Sequence, residues 1–160
     1  MHNPRTRRRP ATAAAIALGV AALAIPATAQ AKIVPGKSVA GVPLGATAKQ
    51  VKDRLGAPER GSTALNYRYV RSRGFGLYLI AGKVFEIRVV KRPQATSKGI
   101  RIGSTLDAVR AAYPSANCTP AVVGRDAFDC SLRGRFAGRG TETVFSTVSG
   151  RVTSIAIHFA

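Results

Sequence analysis

The feature that most constrains this chain is an internal echo. GVPLGATAKQVKDRLG, residues 41–56, returns 58 positions later as GIRIGSTLDAVRAAYP, residues 99–114, with Gly41, Gly45, Thr47 and Val51 falling on Gly99, Gly103, Thr105 and Val109. In the first copy Thr47 is a good helix N-cap, and Gln50 stands at the capping-box spacing. Ala48, Val51 and Leu55 recur along one helical face, and Gly56 and Pro58 supply stop signals. The second copy has Ser104 or Thr105 as cap, Leu106, Val109 and Tyr113 as its apolar stripe, and Pro114 as terminator. Two short amphipathic helices are expected.

Strand patterns follow each helix. ALNYRYV, FGLYLIA and KVFEIRVV in the first half, and AFDCSL, TETVFSTV and RVTSIAIHF in the second, have the aromatic and β-branched content of strands. Phe85, Ile87 and Val89 are expected on one face, Glu86 and Arg88 on the other. VRSRG and RGRFAGRG read as loops, and GKVFEIRV at Gly82 matches GRVTSIAI at Gly150. One helix with about three strands is too small to bury its own apolar face, whereas two side by side share a core. The expected fold is α+β: two tandem helix-plus-antiparallel-strand repeats, residues 32–96 and 97–160, forming one sheet with both helices on one face, in one compact domain.

Residues 1–31 read differently. MHNPRTRRRP is basic, ATAAAIALGVAALAI is apolar, and Ala29 and Ala31 stand in the small-x-small arrangement of a signal-peptidase site. The apolar run is shorter than the ~20 residues needed to span a bilayer. Residues 1–31 are therefore expected to be a signal peptide, and the protein to be exported, secreted or held at the cell envelope. Four of the 25 basic residues leave with it while all seven acids stay, so the remainder carries a net charge of +14. Outside the cytoplasm that charge points to anionic envelope polymer or lipid rather than to specific nucleic acid. Cys118 and Cys130, both beyond the leader, are expected to form a disulfide there.

The pattern G(V/I)xxGxTxxxVxxxLGxP followed by strands resembles the small-protein-A type fold of outer-membrane-assembly lipoproteins. The tandem arrangement is similar to the secreted β-lactamase inhibitor proteins of actinobacteria, whose helix is followed by a Cys, about a dozen residues and a second Cys entering a strand, as Cys118 and Cys130 are here. The resemblance implies a docking surface for a protein partner. Where those inhibitors present an acid in the following hairpin, this chain reads SLRGRFAGRG, with none.

The residues offer little to catalysis. Beyond the leader there is one histidine, His158, expected to point outward from a strand, and seven scattered acids, of which Glu59, Asp107, Asp126 and Asp129 read as solvated charges. No cofactor fingerprint and no metal-ligand set is present, so the expected function is that of a non-enzymatic binding module. The candidate binding residues are the arginines of the two basic loops, Arg71, Arg73, Arg133, Arg135 and Arg139, expected at the ends of neighbouring strands, with the aromatics Tyr69, Tyr78 and Phe136. Guanidinium groups among aromatic rings suit carboxylate or phosphate recognition and equally a protein interface. The expected partner is an extracytoplasmic protein docking on an open sheet face, or else an anionic envelope polymer or lipid surface.

Overall fold

A computed structural model describes residues 32–122 and 126–160; the expected signal peptide lies outside the described residues. The chain runs β1 (Lys32–Val34), β2 (Ser38–Val39), β3 (Val42–Pro43), α1 (Ala48–Leu55), β4 (Asn66–Tyr69), β5 (Phe75–Ile80), β6 (Lys83–Val89) and β7 (Ala95–Thr96). It continues through α2 (Leu106–Ala112), β8 (Asn117–Pro120), β9 (Phe128–Phe136), β10 (Arg139–Val148) and β11 (Arg151–Phe159). Seven strands form one antiparallel sheet in the order β4-β5-β6-β11-β10-β9-β8, and four short ones form a second in the order β3-β2-β1-β7. The expectation of α+β architecture holds. The single sheet does not: the short strands that precede the two helices form a sheet of their own, in which β1 runs parallel to β7.

Each helix is seated in the same way. Thr47 caps α1 in a full capping box with Gln50, and Thr105 caps α2, its side chain accepting from the Ala108 amide. The Ala48 amide donates to the Gly82 carbonyl and the Leu106 amide to that of Gly150, each at 2.9 Å. Each helix N-terminus is thereby tied to a two-residue hairpin turn. Both turns need positive φ at two successive residues, Ala81 with Gly82 and Ser149 with Gly150, the geometry that matches strand twist. The hairpins β5–β6 and β10–β11 also each carry one extra residue, Phe85 in one and Thr153 in the other. This bulge corrects one expectation: the pairing passes from Tyr78↔Glu86 to Leu79↔Val84, so Phe85 leaves the alternation and is half-buried while Val84 takes the inward place.

The two sets of strands meet at β6 and β11, through Ile87↔Ile157 and Val89↔Ile155, all four side chains fully buried. On this face Tyr69, Phe75, Leu77 and Phe145 extend the same apolar layer. Both helices cover it: the Tyr69 hydroxyl donates to the Gly56 carbonyl at the end of α1, and Tyr113 at the end of α2 stacks on Phe145 with ring centroids 5.3 Å apart. The first entry segment crosses over to the second half, and the stretch before β7 is tied to the β4–β5 turn. The Gly36 amide donates to Thr143 Oγ1 on β10 at 2.7 Å, and Gln94 Nε2 donates to the Arg73 carbonyl beside β5. Gly36 must be glycine: its φ is +68°, and a Cβ there would come within 2.8 Å of Thr141 Oγ1.

The second half departs from the three strands expected. Asn117–Pro120 forms a further edge strand, β8, whose Cys118 lies directly opposite Cys130 of β9, and the two are joined in a disulfide. The stretch expected as the loop RGRFAGRG is mostly strand, since β9 runs to Phe136 and β10 starts at Arg139, leaving Ala137 and Gly138 as the turn. Among the described residues no helix is long and apolar enough to cross a membrane.

The disulfide fastens an edge strand of only four residues to the sheet. Replacing both cysteines with alanine should lower stability by about 3 kcal/mol, the chain-entropy value for a loop this short. Urea denaturation of the oxidised protein against the double variant measures it, and reductant should shift the midpoint of the former only.

Candidate functional site

With one face of the seven-stranded sheet covered by the helices, strand alternation sends every other side chain to the opposite face. Register there assembles a row across six strands: Asn66, Tyr78, Glu86, His158, Glu142 and Arg133. At its centre His158 Nε2 lies 3.7 Å from Glu142 Oε2, and Glu86 pairs with Arg88 at 2.8 Å. The next row runs Arg68, Gly76, Arg88, Ala156, Val144 and Ser131. The uncovered face thus carries both signs: Glu86 and Glu142 stand in its middle with Arg88 beside Glu86, Arg68 lies toward one side, and Arg133 and Asp129 toward the other.

The arginines expected to act together are far apart. Arg71 and Arg73 follow β4, whereas Arg133, Arg135 and Arg139 lie on β9 and β10. Four strands separate β4 from β9 in the sheet, or roughly 24 Å at the usual strand spacing. The two hairpins also sit at opposite ends of the strands. The β4–β5 turn adjoins the C-terminal end of β6, the β9–β10 turn that of β11, and these two strands are antiparallel.

Alternation splits the second group further. Arg133 and Arg135 share the uncovered face, but Arg139 stands in register with Phe136 on the helix side, its guanidinium 3.9 Å from the centroid of the Phe159 ring. The aromatics divide in the same way. Tyr69 is 1 % exposed, and burial raises its hydroxyl pKa, so it is a core residue held by its bond to Gly56. Phe136 is half-buried against the core, and Tyr78, 43 % exposed, reaches the open face. The placement of Tyr69 was concealed in the sequence by its position in an alternating run, whose inward face periodicity alone does not identify.

Other residues come to the fore. A cleft of about 400 Å³ is lined by Glu59, Arg60, Gly61, Arg68 and Arg71. A second, of about 310 Å³, shares Gly61 and Arg68 and continues along Asn66, Gly76, Tyr78 and Arg88, with Val70 and Val90 as apolar lining. Arg60, Arg68 and Arg88 were missed because the basic loops drew attention away from them. The available signal was alternation: Arg68 between two tyrosines in NYRYV, Gly76 between Phe75 and Leu77, and Arg88 between Ile87 and Val89 all have the period of an outward face.

Glu59 is not the freely solvated charge expected. Its Oε1 accepts from the Arg71 and Ser72 amides and from the Ser72 hydroxyl at 2.8–2.9 Å, organising the turn that carries Arg71. These bonds, the Ser72 amide first, lower its pKa from 4.5. Among the described residues no group of three His, Cys, Asp or Glu side chains is placed to hold a metal ion. No protein-family model, curated protein or solved structure matches the chain.

Because the folded pKa of Glu59 lies below its unfolded value, its contribution to stability is present above pH 4.5 and is lost as pH falls through the folded pKa. Glu59→Gln should therefore be less stable than the parent at pH 6, and the gap in urea midpoint should narrow as the pH is lowered below 4.5.

Proposed function

We propose that this protein is an exported, non-enzymatic binding module that docks an extracytoplasmic protein partner on the uncovered face of its seven-stranded sheet. The reading rests on one observation above all: one face of the broad seven-stranded sheet is covered by neither helix, since both pack on its other side. The shared helix seating, turn and bulge support reading residues 32–96 and 97–160 as two tandem repeats, the architecture that the resemblance to secreted β-lactamase inhibitor proteins implies. The disulfide supports a life outside the cytoplasm, where such bonds persist.

The charge of +14 keeps a second reading, an anionic polymer or lipid surface, in competition. The layout of the face favours a protein. Glu86 and Glu142 occupy its middle, where a continuous polyanion crossing the sheet would meet them, Arg88 is already paired with Glu86, and Arg68 and Arg133 stand apart on either side. Interleaved charges of both signs, with Tyr78 exposed among them, suit a folded partner whose own charges alternate.

A photo-cross-linking residue at Val144 or Tyr78, introduced into the exported protein in its native envelope, should capture a protein, and the same residue at Lys49 on the exposed side of α1 should not. Capture should persist when irradiation is carried out at raised salt. Capture from Lys49 alone would overturn the reading. So would retention on wall polymer or anionic vesicles that falls steeply with salt and is lost in Arg133→Ser/Arg135→Ser/Arg139→Ser, since such a slope counts released counterions.

A further inference from the structure

The register of β4, β5 and β6 places Gly76 between two arginines. Arg68 pairs with Gly76 on one side and Arg88 pairs with it on the other, all three on the uncovered face. Two strand spacings put the arginine backbones about 10 Å apart, with no side chain between them. The result is a trough: Gly76 is its floor, Arg68 and Arg88 its long walls, Tyr78 and Asn66 line one end, and Val70 and Val90 the other.

Both walls have hydrogen-bonding capacity to spare. Arg88 engages Glu86 through Nε, and Arg68 makes no ion pair among the described residues. Gly61 lies against the Arg68 guanidinium, with a φ of +85° and with Nη1 3.4 Å from where a Cβ would stand, so the loop keeps this wall open on its outer side. Arg60 and Arg71 border the adjoining cleft and add positive potential, offset in part by Glu59. Two arginines lining one cleft on either side of an empty strip are suited to a planar oxyanion, which a guanidinium can bind through paired N–H donors.

We propose that this trough is a carboxylate subsite that receives an acidic side chain of the protein partner. It rests on the docking reading above and names the chemistry by which that partner is held. The apolar end formed by Val70 and Val90 and the ring of Tyr78 suit the methylene stem of an acidic residue carried on a polypeptide. Glu86, in register with Tyr78, stands at the inner end of the trough and limits the site to a single anion rather than a run of them.

Gly76 allows a test that leaves every charge in place. Its φ is not left-handed, and a Cβ there would meet only the Tyr67 carbonyl, at an ordinary 3.8 Å, so Gly76→Val fits the strand while filling the trough. The probe is a blocked tetraglutamate peptide, titrated into the exported, disulfide-bonded protein and followed by amide chemical shifts, with tetraglutamine as control. Saturable shifts are expected at Arg68, Gly76 and Arg88 with the acidic peptide alone. Gly76→Val and Arg68→Gln should each weaken binding tenfold or more, while Arg133→Gln leaves it unchanged.

Parent-like affinity in Gly76→Val would overturn the proposal, as would equal losses from Arg68→Gln and Arg133→Gln, the mark of diffuse attraction. Inorganic phosphate and phosphatidylglycerol vesicles form a separate arm. Binding of either that is tighter than that of the peptide and is lost in Gly76→Val would assign the trough to phosphate and overturn the carboxylate. Cross-linking from Val144 reads the docking face independently. Cross-links that persist beside an unaffected Gly76→Val refute the subsite alone, whereas a Gly76-dependent peptide site without cross-links refutes the docking reading alone.

Discussion

The pairing of β6 with β11 is the interaction on which the rest of the molecule depends. Without it the chain would be two small sets of strands, each with a short helix and too little apolar surface to offset its conformational entropy. Ile87, Val89, Ile155 and Ile157 close this seam with no exposed surface, and the strands on either side extend the same apolar layer outward. The first entry segment reinforces the union by crossing over: Gly36 bonds to Thr143 in the second half, while β1 pairs with β7 and Gln94, just before β7, bonds back to Arg73.

Closing the seam has a consequence for the opposite face. Once β6 and β11 are neighbours, Glu86 is set against His158, and Glu142 of β10 joins them, so these two acids meet at the centre of the uncovered surface although they come from both halves of the chain, while Asp129 lies farther out on β9. Arg88 is carried in beside them and is partly neutralised, while Arg68 at the β4 side and Arg133 at the β9 side are displaced outward. A strongly basic protein thus presents a face whose sign alternates, which is why the proposed docking surface suits a folded partner better than a uniform polyanion. The edges are also managed. β4 is bordered by the loop that starts at Glu59, whose amide donates to the Arg68 carbonyl, and β8 is short, ends in Pro120 and is held by the disulfide.

The candidate site shows where sequence reasoning reaches its limit. Tyr78, Arg133 and Arg135 reach the open face, but Tyr69 and Arg139, grouped with them on proximity in sequence, do not. Proximity is a poor guide in strands, where consecutive residues face opposite ways and the next residue on the same face is two positions on. In β9 and β10 the basic stretch is itself strand, so its arginines are dealt alternately to the two faces. The Arg68–Gly76–Arg88 trough is drawn from three strands whose outward residues have no sequence motif in common.

Local chemistry in the sequence determined a good deal. The Thr47 and Thr105 caps, the apolar stripes of two helices, the glycines of the hairpin turns and the outward alternation of Glu86 and Arg88 are each specified within a few residues, because capping, helical periodicity and turn geometry are short-range effects. Only the tertiary structure decided what depends on register between distant strands: the β6–β11 seam, the bulges at Phe85 and Thr153, the pairing of β1 with β7, and the meeting of Arg68 with Arg88 across Gly76. A strand's pattern says which residues share a face, but shifting its partner by two residues preserves that pattern while changing every neighbour. The choice is made by packing of the whole core, which no single stretch of the chain contains.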